Sequence, residues 1–473
     1  MTSLTTNQSS IELCIQKLKY LEEKRGAPFQ PPMMPETYTL RDFLEDTEIY
    51  TANTFIIPGE GCRRGTTCAS SFGFELAANQ LTVSEALQGI RGMITLGNEK
   101  STIIIVDDFR FDQFKHDNGH AQQAKSGLRS WIDWVFDPAE AEFRLSLATR
   151  IANATQLTNF HKEQALYNLG ITHGSLVLLH TINLLKEFAV MPIPSALSRE
   201  PHFPHHASEP ISYTIPFTTP QEGAIDIIAV DTNEFNTNQI ADGMRHAIDL
   251  AKQRESNRIV VNMSFGLVPR KLLENFKACQ ADSNNPIDSF EDYVNFFANN
   301  GETIDEEFQA ELTSIILNAA SRQTDAMYQL AEECMQACMC APNKPETFFA
   351  FVASAGNYGQ DFPIYPAAWK DFISVSTPAS YSNTGEISAP GDVIISPSAS
   401  VSGTSFAAPL VSVFSALDMT QTTPRCGYAI PSRLIEAQLD HRDWPLGHNI
   451  TTPMHRVNLP LEEAIKTICD QDE

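Results

Sequence analysis

Five short stretches of this chain are apolar almost without a break: residues 103–106, 225–230, 259–263, 348–353 and 372–375. A strand with one wet face alternates apolar and polar side chains, whereas a strand covered on both faces does not. These runs are therefore predicted to be strands of a parallel sheet. Between the second and third runs, Ile240, Met244, Ala247, Ile248 and Ala251 recur at the spacing of one helical face. Buried strands alternating with such helices predict an α/β fold, a parallel sheet flanked by helices on both faces.

Two stretches, about 118–166 and 267–345, interrupt this rhythm with helix-forming residues and read as helical insertions. In the second, Thr303 and Glu306 form a capping box ahead of a long helical pattern. Residues 1–97 have a different texture. Ser9 and Glu12 form another capping box, with Ile11, Cys14, Ile15 and Leu18 on one face, and the proline-rich residues 28–35 end that helix. A second short helix is predicted after Ser84, carrying Leu87, Ile90, Met93 and Ile94. The division expected is an N-terminal segment, 1–97, followed by a larger unit, 98–473, that holds both insertions.

Charge and cysteine content narrow the partners. With 58 acidic against 33 basic side chains the formal charge is -25, which repels phosphate and argues against a nucleic-acid partner. No run of eighteen apolar residues occurs, so membrane insertion is not expected. Residues 1–24 lack the basic start and continuous apolar stretch of a secretory leader, which points to the cytoplasm or to secretion by a leaderless route. Nine cysteines, an odd number, fit a reducing compartment and unpaired thiols. Cys334, Cys338 and Cys340 read as packing residues of a helix; Cys62 and Cys68 flank a turn where pairing is conceivable only under oxidation.

The strongest chemical signal is Gly403-Thr404-Ser405-Phe406-Ala407-Ala408-Pro409, followed by the apolar helical residues 410–417. Glycine permits a tight turn, and small residues let a substrate backbone approach. Ser405 then sits near a helix N-terminus, where free N–H groups and the helix dipole favour developing negative charge. This heptapeptide resembles the nucleophile motif Gly-Thr-Ser-x-Ala-x-Pro of the subtilases, serine proteases whose triad runs Asp, His, Ser along the chain.

Companions to Ser405 stand upstream in that order. The run 103–106 followed by Asp107 and Asp108 is similar to the family's strand ending in the triad aspartate. His173-Gly174-Ser175-Leu176-Val177 resembles the histidine motif. His173 is preferred to His120, which stands in the reversed order Gly119-His120 with no apolar helix after it; Asp112, His116 and His120 share a helical spacing that a metal ion would also accept. Ala353-Ser354-Ala355-Gly356-Asn357, ahead of Tyr365-Pro366-Ala367, resembles the family's oxyanion motif, with Asn357 the donor beside the Ser405 N–H. Asn262-Met263-Ser264-Phe265-Gly266 looks like the strand that pairs with substrate backbone, and Ser388-Ala389-Pro390-Gly391 extends the likeness.

The resemblance implies a subtilisin-like catalytic domain and a serine endopeptidase acting on a protein or peptide substrate through an acyl-enzyme, with no cofactor. Ser264, Phe265, Gly266, Ala355 and Gly356 would line the substrate site. Their small neighbours imply room for a large side chain before the scissile bond, and no charge marks the floor. The family also suggests that residues 1–97 are a pro-segment, with a permanent N-terminal domain as the alternative. Two other readings stay open: an inactive binding protein on the same fold, and a metal-dependent hydrolase using Asp112, His116 and His120 or the proline-flanked His202, His205 and His206.

Overall fold

The computed structural model describes residues 47–50, 81–111, 121–152, 154, 165–193, 200–202, 210–269, 326–339, 345–421 and 426, except for 88–90, 95, 221–222, 233–236, 358–362, 370 and 380–381. The capping boxes at Ser9 and Thr303, the cysteines 62, 68 and 340, residues 112–120, and His205 and His206 lie outside the described residues.

The core elements in chain order are β1 (Ser101–Asp107), α1 (Ala121–Ile132), α2 (Pro138–Ala152), α3 (His173–Glu187), β2 (Ser212–Thr218), β3 (Ala224–Asp231), α4 (Thr237–Gln253), β4 (Arg258–Met263), α5 (Ala326–Met339), β5 (Phe348–Ser354), β6 (Phe372–Ser376), β7 (Ile387–Ser388) and α6 (Thr404–Met419). The main sheet runs β7-β6-β5-β4-β1-β3-β2, with the short strands Met191–Pro192 and Glu200–His202 both pairing with β2. From β7 through β3 every pairing is parallel; β2 runs antiparallel to β3. The predicted strands are the central ones, and every residue of β1, β4, β5 and β6 is buried, as their unbroken apolar runs require.

The helices form two groups. α4 packs on β3 and β1 and against α5, while α6 packs across β4, β5, β6 and β1 and against α3. α6 is buried along its whole length, with Phe406, Leu410, Val411, Val413, Phe414 and Leu417 in the core. Each such side chain contributes about 1.5–3 kcal/mol by leaving water. A helix buried on all sides is a rigid base for whatever stands at its first turn.

Three features depart from the sequence reading. The proline-flanked residues 192–210, where no strand was predicted, include strand Glu200–His202 on the sheet edge. β2 was not anticipated at all; its Tyr213, Ile215 and Phe217 alternate with polar residues but Pro216 interrupts the signal. Cys338, at the end of α5, is joined by a disulfide to Cys426 beyond α6, which corrects the expectation of unpaired thiols for these two. Cys334 is free, and burial pushes its thiol up to about 12, leaving it without thiolate character.

In the N-terminal region, Leu81–Thr82 pairs with Val393 and Ile394, and Thr82 with Glu85 caps a short helix, Val83–Ala86, that starts just before the predicted one. Further upstream, Thr47–Tyr50 pairs antiparallel with Gly266–Pro269.

Candidate active site

Asp107 ends β1 and is fully buried. Its Oδ1 accepts from the Asp108 N–H at 2.7 Å and lies 2.7 Å from His173 Nδ1, while Oδ2 has no partner among the described residues. Burial pushes this carboxyl above the usual carboxylate range, with the imidazole pulling the other way. With Asp107 ionised, the proton sits on Nδ1 and the Nε2 lone pair is left to act as a base.

His173 opens α3, whose N-cap Thr172 and Ser175 bond reciprocally: the Ser175 N–H donates to Thr172 Oγ1, and the Thr172 N–H to Ser175 Oγ. The next residue must be glycine. A Cβ at Gly174 would stand 2.8 Å from the Asp108 carbonyl oxygen and 2.9 Å from Phe109 Cδ1, and the Gly174 N–H donates to that same carbonyl at 2.9 Å. The helix N-terminus thus docks directly on the turn that follows Asp107.

That turn has a second anchor, not anticipated from sequence. Asp231, fully buried at the end of β3 and directly beside Asp107 in the sheet, accepts N–H bonds from Phe109, Arg110 and Phe111 at 2.7–2.9 Å. Phe109 and Phe111 stack at 5.0 Å beneath it, which is how a bulky residue is housed just after Asp107. A run of apolar residues ending in Asp, as at 107, was the available signal.

Ser405 stands in the first turn of α6, after Gly403 at φ 144°, a conformation that glycine adopts without penalty. Pro409 has no N–H, so the Ser405 carbonyl loses its helical partner. Ser264 Oγ donates to that carbonyl at 3.0 Å, and Ser405 Oγ donates to the Ser264 carbonyl at 3.0 Å. Behind Ser264, Asn262 Nδ2 donates to its hydroxyl and Ser412 Oγ donates to Asn262 Oδ1, forming a buried chain of hydrogen bonds. His173 and Ser405 flank the same neighbour, Phe406, whose ring centroid is 6.0 Å from the imidazole.

Asn357 follows β5 and Gly356. Its Oδ1 accepts from the Thr404 N–H at 3.0 Å and the Thr404 hydroxyl at 2.9 Å. Of the predicted substrate-site residues, Ser264 and Gly356 touch this constellation, the latter through its N–H to Thr404 Oγ1; Phe265 and Ala355 are buried and Gly266 begins the strand beyond. Asp112, His116 and His120 lie outside the described residues.

Residues 223–427 match the family model described as the subtilase family. The chain carries a subtilase-family region. The match supports a serine protease. No curated protein matches the sequence. Among solved structures similar to this subtilase-like chain are an S41 psychrophilic protease (16% identity, 76% of this chain and 90% of that chain, TM-score 0.32), the patellamide maturation protease PatG (16%, 76% and 88%, 0.32) and the prenylagaramide maturation protease PagA (14%, 82% and 98%, 0.33).

A second histidine lies on α3. His180 is fully buried, edge-on to Phe406 at 6.3 Å, and neither ring nitrogen has a partner among the described residues. Burial lowers its pKa to about 4, with the Phe406 main chain opposing weakly. The unfolded chain binds the proton more readily, so the contribution to stability is complete above about 6.5 and is lost as pH falls towards 4. The loss expected by pH 4 is about 3 kcal/mol from this group. Urea unfolding between pH 7 and pH 4 is expected to be flatter by about that amount in His180→Leu than in the native chain; parallel curves would refute the assignment.

Proposed function

We propose that this chain is a serine endopeptidase that hydrolyses peptide bonds with Ser405 as nucleophile, His173 as general base, Asp107 as its orienting carboxylate, and Asn357 with the Ser405 N–H as oxyanion donors. The observation that carries this reading is the buried contact of 2.7 Å between Asp107 and His173, standing beside the first turn of the helix that holds Ser405. For this chemistry the Ser405 hydroxyl, which donates to the Ser264 carbonyl, has to turn to His173 Nε2 as substrate binds. The hydroxyl then loses its proton to His173 as it attacks the peptide carbonyl; His173 returns the proton to the leaving amine, and water releases the acyl group by the same route.

The substrate backbone is placed along residues 264–266 and 355–357. Residues 1–97 are proposed as a segment distinct from 98–473, and the antiparallel pairing of Thr47–Tyr50 with Gly266–Pro269 is consistent with a segment that reaches the substrate strand.

A second reading, an inactive binding protein, draws on the Ser405 hydroxyl facing the Ser264 carbonyl. A fluorophosphonate probe separates the two. The native chain is expected to label at Ser405, Ser405→Ala not at all and His173→Ala far more slowly. A folded native chain that stays unlabelled sinks the peptidase.

A further inference from the structure

The small residues of the substrate walls imply an open pocket, but one side chain from elsewhere occupies the space between them. A Cβ placed on Gly266 would stand 2.5 Å from Ile364 Cδ1; one placed on Gly356 would stand 3.1 Å from Ile364 Cγ1 and 3.2 Å from its Cδ1. Ile364 therefore bridges both glycines, and it is 8% exposed. Its backbone is pinned: the Ile364 N–H donates to the Ala355 carbonyl at 2.9 Å, and its own carbonyl accepts from the Ala368 N–H at 3.0 Å. On the far side, Asn383 Nδ2 lies 3.0 Å from the Gly356 Cβ position, and the Asn383 N–H donates to the Gly356 carbonyl at 2.9 Å. The Gly356 wall is therefore braced from behind.

These walls are the continuation of the reacting groups. Gly266 is two residues from Ser264, whose carbonyl holds the Ser405 hydroxyl, and Gly356 precedes Asn357. In a substrate whose carbonyl carbon is held between Ser405 and Asn357 the side chain begins two bonds away, and the crevice between the two glycines is the adjoining space for it. Ile364 is already there. We infer that Ile364 closes the pocket and restricts the residue before the scissile bond to glycine, alanine or serine. This corrects the expectation of room for a large side chain, and it rests on the proposed peptidase reading of the site.

The size of the effect follows from packing. Each methylene that a rigid apolar pocket does not accommodate costs about 10–200-fold in kcat/KM. Peptides that differ only at the residue before the cleaved bond, alanine against leucine, are therefore expected to differ by at least about 100-fold in favour of alanine. In Ile364→Gly the preference is expected to shrink by about 10-fold or more, through a gain on leucine. Ile364→Val, which removes a single methyl, serves if the glycine variant fails to fold, with a smaller shift in the same direction.

Binding of the same peptides to Ser405→Ala protein, and to its double variant with Ile364→Gly, reads the pocket without the reaction. Tighter binding of the alanine peptide, relaxed by opening position 364, supports the inference even where hydrolysis is absent and the peptidase reading has failed. Equal treatment of alanine and leucine by the native chain, in cleavage or in binding, overturns it, as does a preference that ignores the residue at 364.

Discussion

Asp107→Asn is expected to lower kcat by about 10⁴-fold with little change in KM, and to leave the protein at least as stable as the native chain at neutral pH. The two halves of this result have one cause. Asp107 is buried with Oδ2 unpartnered, so its ionised form is expensive to hold, and burial raises its carboxyl accordingly. For an acid whose folded pKa lies above its unfolded value, stability falls as pH rises from the unfolded value through the folded one. An amide of the same shape removes that cost. It also keeps the acceptor for the Asp108 N–H, so the turn that receives Gly174 stays in place.

What the amide cannot do is stabilise the imidazolium that forms when His173 takes the serine proton. In a dry site that charge has no solvent to turn to. Steady-state kinetics on a chromogenic peptide, set beside calorimetry of both proteins, measures both halves. A variant within 10-fold of native kcat removes Asp107 from the proposed mechanism. A variant that loses activity and folding together makes the residue structural.

The sheet was legible because its central strands are buried on both faces, and a run such as residues 103–106 admits few other readings. β2 was not, because its alternation is broken by Pro216 and its neighbours on the edge are two or three residues long. The proposed site divides in the same way. Asp107, His173, Asn357 and Ser405 each stand in a local motif, so adjacent residues announce them. Asp231 and Ile364 act across the fold, one through three backbone N–H groups more than a hundred residues away, the other through one glycine that opens a strand and another that follows β5. The apolar run ahead of Asp231 marks the end of a strand, but not the N–H groups it meets. The Cys338–Cys426 link is of this kind too, closing a span of 88 residues that composition alone assigned to free thiols.

Asn357→Ala is expected to lower kcat and kcat/KM alike by about 10²–10³-fold, because the contact it removes exists only once the carbonyl oxygen becomes an oxyanion. The amide is oriented before substrate arrives. Thr404 claims the amide oxygen with both its N–H and its hydroxyl, which commits Nδ2 to the opposite side, where a Cβ on Gly403 would approach it to 3.4 Å. Asn357→Asp sharpens the test: the carboxylate retains the acceptor for Thr404 but has no N–H to offer, and it sets a negative charge where another must develop. Its kcat is expected to fall below that of Asn357→Ala, although its fit in the native fold is the closer of the two. Should the aspartate variant prove the more active, Asn357 acts through structure alone and the oxyanion must be held by other donors.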